Sequence, residues 1–269
     1  MRGTLASDIA DLVLGRTCRL CDRPGPVLCH HCFTAMSQAR VDATIDGRPV
    51  CSCGPYAGQL RTAILEYKER GTLSLAPALA ALLATSISTA ATFGRTHGPT
   101  SLPALMVPIP GHPNPRRGFE ALATLMRHAE THLDASTLAY APILRTWRRY
   151  APVKGVGRIE RLQRVSGSMR ATDIGLRGRR AILVDDVLTT GATVREGIRA
   201  LNDISIDVVA IAVLASPGRP ATQRESAPAT RRQRIDRPDR WLKQPTSETP
   251  TQPRSGLPGQ VPPARSSTP

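Results

Sequence analysis

Residues 182–193 read ILVDDVLTTGAT, and the order of residue types in that stretch carries chemistry. Ala181, Ile182, Leu183 and Val184 form a short apolar run without helical alternation, as expected of a strand buried on both faces of a parallel sheet. Asp185 and Asp186 follow at its carboxyl end, the edge at which open α/β sheets bind ligands. Two carboxylates there can accept hydrogen bonds from a vicinal diol such as the 2′ and 3′ hydroxyls of a ribose. Thr189, Thr190, Gly191, Ala192 and Thr193 come next; small residues let backbone N–H groups approach an anion, and the hydroxyls add donors. A helix expected from about Thr193, with Val194, Ile198 and Leu201 on one face, would point its positive end at the same place. The expected ligand therefore carries a diol beside a phosphate. The alternative is a structural turn, since strands often end in Asp and Thr-Gly often opens a helix; the coincidence of all these features in a dozen residues favours a site.

A second chemical constellation stands near the amino terminus, where all six cysteines lie before residue 54. Cys18-x-x-Cys21 and Cys29-x-x-Cys32 form two knuckles, and four thiolates in such pairs suit a tetrahedral zinc ion, because each two-residue spacer aims both sulfurs at one point. His30 and His31 flank the second knuckle and are expected to stay outside a shell that four cysteines already complete. Cys51 and Cys53 form one C-x-C, either left over or placed near the first site, and are not expected to be ligands. Met1 to Val13 contains two Asp and no long apolar core of a signal peptide, so a reducing, cytoplasmic compartment is expected.

The elements that must position these groups alternate. A charged helix has Leu60, Ala63, Ile64 and Tyr67 on one face. Strands are expected at Ala104 to Pro110, Leu138 to Leu144, Arg180 to Val184 and Val208 to Leu214, with helices at Phe119 to Leu133 and Thr193 to Leu201. Alternation of this kind implies parallel strands joined by right-handed helical crossovers, an α/β doubly wound parallel sheet. Leu73 to Phe93 is 21 residues without charge, long enough to cross a bilayer. Pro77, six Ser or Thr residues and a predominance of alanine over leucine point instead to a helix packed on the sheet, with no membrane span.

Two basic loops adjoin the expected sheet rim. Pro108, Pro110, Gly111, His112 and Pro113 make a stiff turn past a strand, followed by Arg116, Arg117 and Gly118, whose guanidinium groups suit phosphate oxygens; solvated surface arginines are the alternative. Lys154, Arg158, Arg161, Arg164 and Arg170 are interspersed with Gly155, Gly157 and Gly167, a mobile cationic stretch able to close over an anion or simply to lie in solvent. The formal charge of +15 suits phosphate ligands or nucleic acid, or reflects a compositional habit, and aromatics at 3% leave few base-stacking platforms. From about Ser216 to Pro269, Pro, Arg, Gln, Ser and Thr dominate, with ten Lys or Arg against four Asp or Glu. Such a segment buries too little to offset chain entropy and is expected to be disordered, able to touch nucleic acid or merely solvated.

The 182–193 run resembles the 5-phosphoribosyl 1-diphosphate (PRPP) signature of the type I phosphoribosyltransferase fold. With VPIPGHPNPRRGFEALATL (residues 107–125), KGVGRIERLQRVSGSMR (residues 154–170) and the cysteine module in that order, the chain from Cys18 to Ser216 is similar to the ComF family of competence-associated proteins. The resemblance implies residues 1–54 as a four-cysteine zinc-ribbon-like module, 55–215 as a phosphoribosyltransferase-like domain and 216–269 as a basic tail. It implies Asp185 and Asp186 on the ribose, Thr189 to Thr193 on the 5-phosphate, Pro110, Gly111, Arg116 and Arg117 on the diphosphate, and Lys154, Arg158 and Arg161 in a flexible lid. Magnesium would be held mainly by PRPP oxygens. The implied activity is transfer of the phosphoribosyl group to a nitrogen nucleophile; the alternatives are a non-catalytic protein binding single-stranded DNA in DNA uptake, with a competence helicase as partner, or a PRPP-responsive DNA-binding regulator. Two departures matter: Thr189 stands where purine-salvage members have a third Asp, the acid that would serve as general base, and the expected glutamine is absent around Val153.

Overall fold

The computed structural model describes residues 17–96, 102–111, 118–147, 165–172 and 175–217. Eight strands among these residues are β1 (Arg40–Ile45), β2 (Arg48–Ser52), β3 (Ala104–Pro108), β4 (Leu138–Tyr140), β5 (Leu144–Thr146), β6 (Met169–Ala171), β7 (Arg180–Val184) and β8 (Asp207–Val213). Five α-helices among the described residues are α1 (His30–Met36), α2 (Gly58–Lys68), α3 (Ala76–Thr96), α4 (Ala121–Ala129) and α5 (Ala192–Asn202). Six strands form one sheet in the order β1-β2-β8-β7-β3-β4, parallel except for the antiparallel β1–β2 pair, and β5 with β6 makes a separate two-stranded antiparallel ribbon.

The period-2 alternation of strand side chains divides the core into two layers. Ile182 and Val184 of β7 and Ala210 and Ala212 of β8 face the layer formed with α2, α3 and α4. Ala181, Leu183, Val208, Ile211 and Val213 face the other, which α5 and the ribbon cover through Val194, Ile198, Leu201, Leu144 and Met169. The expected doubly wound α/β sheet is present. α3 is the single helix among the described residues long and apolar enough to cross a membrane, but 56% of its apolar window is buried, with Leu79, Leu82, Leu83 and Ile87 fully enclosed. The hydroxyls of Thr85 and Thr89 donate to carbonyls one turn back, so these two polar groups are satisfied within the helix.

The structure corrects several element bounds. The apolar run Leu138 to Leu144 is not one strand: β4 ends at Tyr140, and the chain leaves the sheet through Ala141 and Pro142 to start β5. Pro142 supplies no N–H for a ladder, which accounts for the break. The helix expected at Phe119 to Leu133 runs only over Ala121–Ala129 and tightens into a 3-10 turn, Glu130–His132. β3 stops at Pro108, two residues short of the expected end. No strand is expected before residue 54, yet β1 and β2 extend the main sheet, Val50 to Ser52 pairing with Ile211 to Val213. Their turn is Asp46-Gly47 with φ of 48° and 80°, the two-residue hairpin geometry that an Asp-Gly pair favours.

Candidate functional site

At the carboxyl edge of β7 the backbone is held on both sides. Pro108 pairs with Val184 and Ile109 N–H donates to the Val184 carbonyl (2.8 Å), while Asp185 N–H donates to Ala212 O (3.0 Å) and Leu214 N–H to Asp186 O (3.0 Å). Leu188 N–H donates to Ala215 O (2.9 Å), so residues 185–188 continue beside the extension of β8 before the chain turns. The acid pair thus stands on a backbone fixed by its neighbours rather than on a free loop. Asp186 N–H donates to Asp185 Oδ1 (2.8 Å), and Lys68 Nζ, at the end of α2, lies 2.5 Å from Asp186 Oδ2. Burial first, and the adjacent Asp186 second, push the Asp185 carboxyl up to about 8, against the opposing pull of that N–H and of Lys68.

Thr189, Thr190 and Gly191 then turn the chain into α5. Gly191 is the residue before the first helical turn, with φ of 74°, and no side chain caps the helix there. A Cβ at Gly191 would meet Ile45 Cδ1 at 3.0 Å and Arg195 Nη1 at 3.1 Å, so both the conformation and the space call for glycine. Thr190 Oγ1 accepts from Ala192 N–H (3.4 Å), and Arg195 reaches Thr190 O (3.4 Å) and Asp46 (3.1 Å). A helix start without a side-chain cap on Gly191, beside threonine hydroxyls and the Arg195 guanidinium, has the donors and positive dipole end that suit an anion. Gly197, one turn further, approaches Leu183 so closely that a Cβ would stand 3.0 Å from Leu183 Cδ2, seating α5 directly on β7.

Pro110 and Gly111 leave the edge next to β7, one strand spacing from the acid pair. Arg116, Arg117, Lys154, Arg158 and Arg161 lie outside the described residues. The ribbon flanking the 148–164 stretch is described: Trp147 N–H donates to Ser168 O (2.7 Å), and Arg170, a member of the basic stretch, stacks on the Trp147 ring at 3.9 Å. Glu196 of α5 receives Gly167 N–H (3.0 Å) and Met169 N–H (2.8 Å) and is clasped by Arg199. Burial works to raise the Glu196 carboxyl, but Arg199 and the two N–H donors outweigh it and hold it below the usual carboxylate range. Sequence reasoning missed Lys68 and Glu196. Lys68 follows the apolar stripe of its helix as an ordinary polar position, and Glu196 sits among charged residues with nothing in its spacing to announce burial.

The four cysteines Cys18, Cys21, Cys29 and Cys32 come together, their sulfurs all within 4.8 Å of one another, with Cys21 and Cys29 3.6 Å apart. Cys29 N–H points at Cys18 Sγ (3.4 Å) and Gln59 Nε2 at Cys32 Sγ (3.5 Å), the outer donors that thiolate ligands take. The cluster fits a tetrahedral metal ion. His30 and His31 are exposed and stand outside it. Cys51 and Cys53 are also apart from it, buried under α3; Cys53 bonds to Leu82 O and Ser86, and burial pushes the two thiols up to about 12 and about 11.

The span that holds β4 to β8, the acid pair and the glycine turn is also where a known family enters. Residues 124–247 match the phosphoribosyl transferase domain. The match takes in the acid pair and the turn into α5 and leaves out the cysteine cluster, β1, β2 and α2, including Lys68. Two solved structures are similar in part. One is described as the allosteric regulatory enzyme of purine biosynthesis, at 16% identity and a TM-score of 0.30, covering 68% of this chain and 30% of the other. The second, Leishmania donovani UMP synthase, is 15% identical with a TM-score of 0.31, covering 69% of this chain and 31% of the other. This chain therefore spans about a third of each. No curated protein matches the chain.

Proposed function

We propose that this protein binds PRPP and transfers its phosphoribosyl group to a nitrogen acceptor with release of diphosphate. The observation that carries the reading is the acid pair at the end of β7 beside an uncapped, glycine-turned start of α5, within the phosphoribosyl transferase domain match. Asp185 and Asp186 would accept hydrogen bonds from the ribose diol and stabilise positive charge developing at the anomeric carbon. Thr189 to Thr193 would hold the 5-phosphate, and Pro110 and Gly111, with Arg116 and Arg117, the diphosphate. Magnesium carried by PRPP would stabilise the leaving group. Lys154, Arg158 and Arg161 would form the lid that excludes water. The four-cysteine cluster in front of such a domain supports zinc as a structural ion and ComF as the subfamily.

Thr189 supports a second reading, binding without turnover, because the place of a third acid is taken by an exposed hydroxyl. In that case PRPP would serve a protein of DNA uptake or a DNA-binding regulator. PRPP with magnesium should raise Tm, since a ligand bound only by the folded state stabilises it by mass action. The Asp185→Asn, Asp186→Asn double variant should lose the shift; a shift that persists removes the ribose assignment. Diphosphate release against a panel of bases and amines separates transferase from binder. About one equivalent of zinc should co-purify, the stoichiometry of a single four-cysteine site, and Cys32→Ser should abolish it.

A further inference from the structure

Lys68 stands outside the domain match and outside the signature run, yet it is the one cation paired with either acid among the described residues. Its position is not that of a loose surface lysine. Tyr67, the preceding residue, is fully buried, donates its hydroxyl to Ala121 O (2.8 Å) and packs its ring on Phe119 with centroids 5.3 Å apart. The last turn of α2 is therefore pinned to the start of α4. The opposite end of α2 leans on the cysteine cluster through Gln59 and Cys32. α2 is a strut of 11 residues, roughly 16 Å long at 1.5 Å per residue, between the cluster and the acid pair.

A site that grips a ribose diol with two carboxylates and also accepts a diphosphate on the neighbouring carbon faces an electrostatic conflict. The carboxyl groups supply the acceptors the hydroxyls need, but with Asp185 held protonated the charge of the pair rests on Asp186, and that charge repels the leaving group. We propose that Lys68 is a positioning residue that resolves this conflict: its ammonium, set 2.5 Å from Asp186 Oδ2, neutralises that acid so that the pair holds a diol beside a diphosphate. The proposal rests on the PRPP reading above. It also gives the cysteine cluster a purpose, because the cluster supports the helix that delivers Lys68.

Ligand selectivity separates this role from a structural one. Titration calorimetry of the full, metal-loaded protein with PRPP and magnesium, and with ribose 5-phosphate, which shares the diol and 5-phosphate but lacks the diphosphate, would be run on the parent, Lys68→Met and Lys68→Arg. Lys68→Met keeps the aliphatic stem. It should bind PRPP at least about tenfold more weakly, the factor that separates dissociation constants by 1.4 kcal/mol, while ribose 5-phosphate changes by less than about twofold, roughly 0.4 kcal/mol on the same scale. Lys68→Arg keeps the charge and should retain most of the PRPP affinity; it also serves if the Met variant fails to fold, since a loss with Arg equal for both ligands would overturn the proposal. Unchanged or tighter PRPP binding in Lys68→Met, or equal weakening of both ligands, would overturn it too. If the parent binds neither ligand, the PRPP reading itself falls, a distinct outcome from a parent that binds PRPP and a variant that binds it equally well.

Discussion

Asp185 is held where two influences favour its protonated form: removal from water, and the charge of Asp186 next to it. Because its folded value, about 8, is raised above that of the unfolded chain, the folded state keeps a proton that the unfolded state gives up once pH exceeds about 4. Stability from this group is thus complete below about pH 4 and is lost as pH climbs toward 8. Asp185→Asn, which can still accept from Asp186 N–H, should remove that slope. Urea titrations from pH 4 to 9 should find the variant more stable than the parent by on the order of 1–2 kcal/mol at pH 8 and equal to it near pH 4, one pKa unit being worth about 1.4 kcal/mol. A parent whose stability is level over that range would show that Asp185 is ionised throughout. The place of both acids was legible in the sequence, because a buried apolar run marks β7 and the two carboxylates follow directly at its carboxyl end. Lys68 was not, since a lysine at a helix end is ordinary and its meeting with Asp186 depends on how α2 crosses the sheet.

At the scale of elements, α5 does two things at once. Its first turn opens on Gly191, where the phosphate is proposed to sit, and its next turn carries Glu196, whose carboxylate closes the base of the β5–β6 ribbon through Gly167 and Met169. The described residues on either side of 148–164 are tied to this same helix, Leu144 and Met169 by packing and Gly167 and Met169 by hydrogen bonds. Glu196→Gln keeps the shape but replaces one acceptor oxygen with a donor, leaving Gly167 or Met169 N–H without a partner and Arg199 with Asp203 as its remaining carboxylate partner. The expected loss is about 1.5–3 kcal/mol, the range for hydrogen bonds to charged groups. Hydrogen exchange should report it locally, with the Gly167 and Met169 amides losing protection while the β7 and β8 amides keep theirs. Equal loss throughout would mean that Glu196 serves the whole fold rather than the ribbon. Sequence pattern found β7, α5 and β8 because each is a complete element with its own period. It merged β4 with β5, since the apolar side chains continue across Pro142 and the change of sheet follows from backbone hydrogen bonding that side-chain periodicity does not encode. The Asp46-Gly47 pair did mark a hairpin, but the strands on either side carry Arg40, Asp42, Arg48 and Pro49, too polar to read as sheet.

For the whole molecule, α3 decides how the charge and the apolar content are arranged. The chain is strongly basic, and the uncharged stretch from Leu73 to Phe93 has the length of a membrane span. In the fold it becomes the centre of one core layer, touching β2, β7, β8 and α4, with the small alanines bringing its axis near the sheet. This arrangement separates two leucines that composition treats alike. Leu83 is fully enclosed, whereas Leu73, in the 3-10 turn just before α3, is half exposed. Leu83→Ala should cost about 2–5 kcal/mol, the transfer of the side chain plus the cavity it leaves. Leu73→Ala, at a site open to solvent, should stay within about 0.5 kcal/mol of the parent. Denaturant midpoints of the two variants in detergent-free buffer measure the difference directly. A helix facing lipid along its length would give two small and similar effects, so near-equality of the two midpoints would remove α3 from the core and with it the layer that sets α2, Lys68 and the acid pair in register.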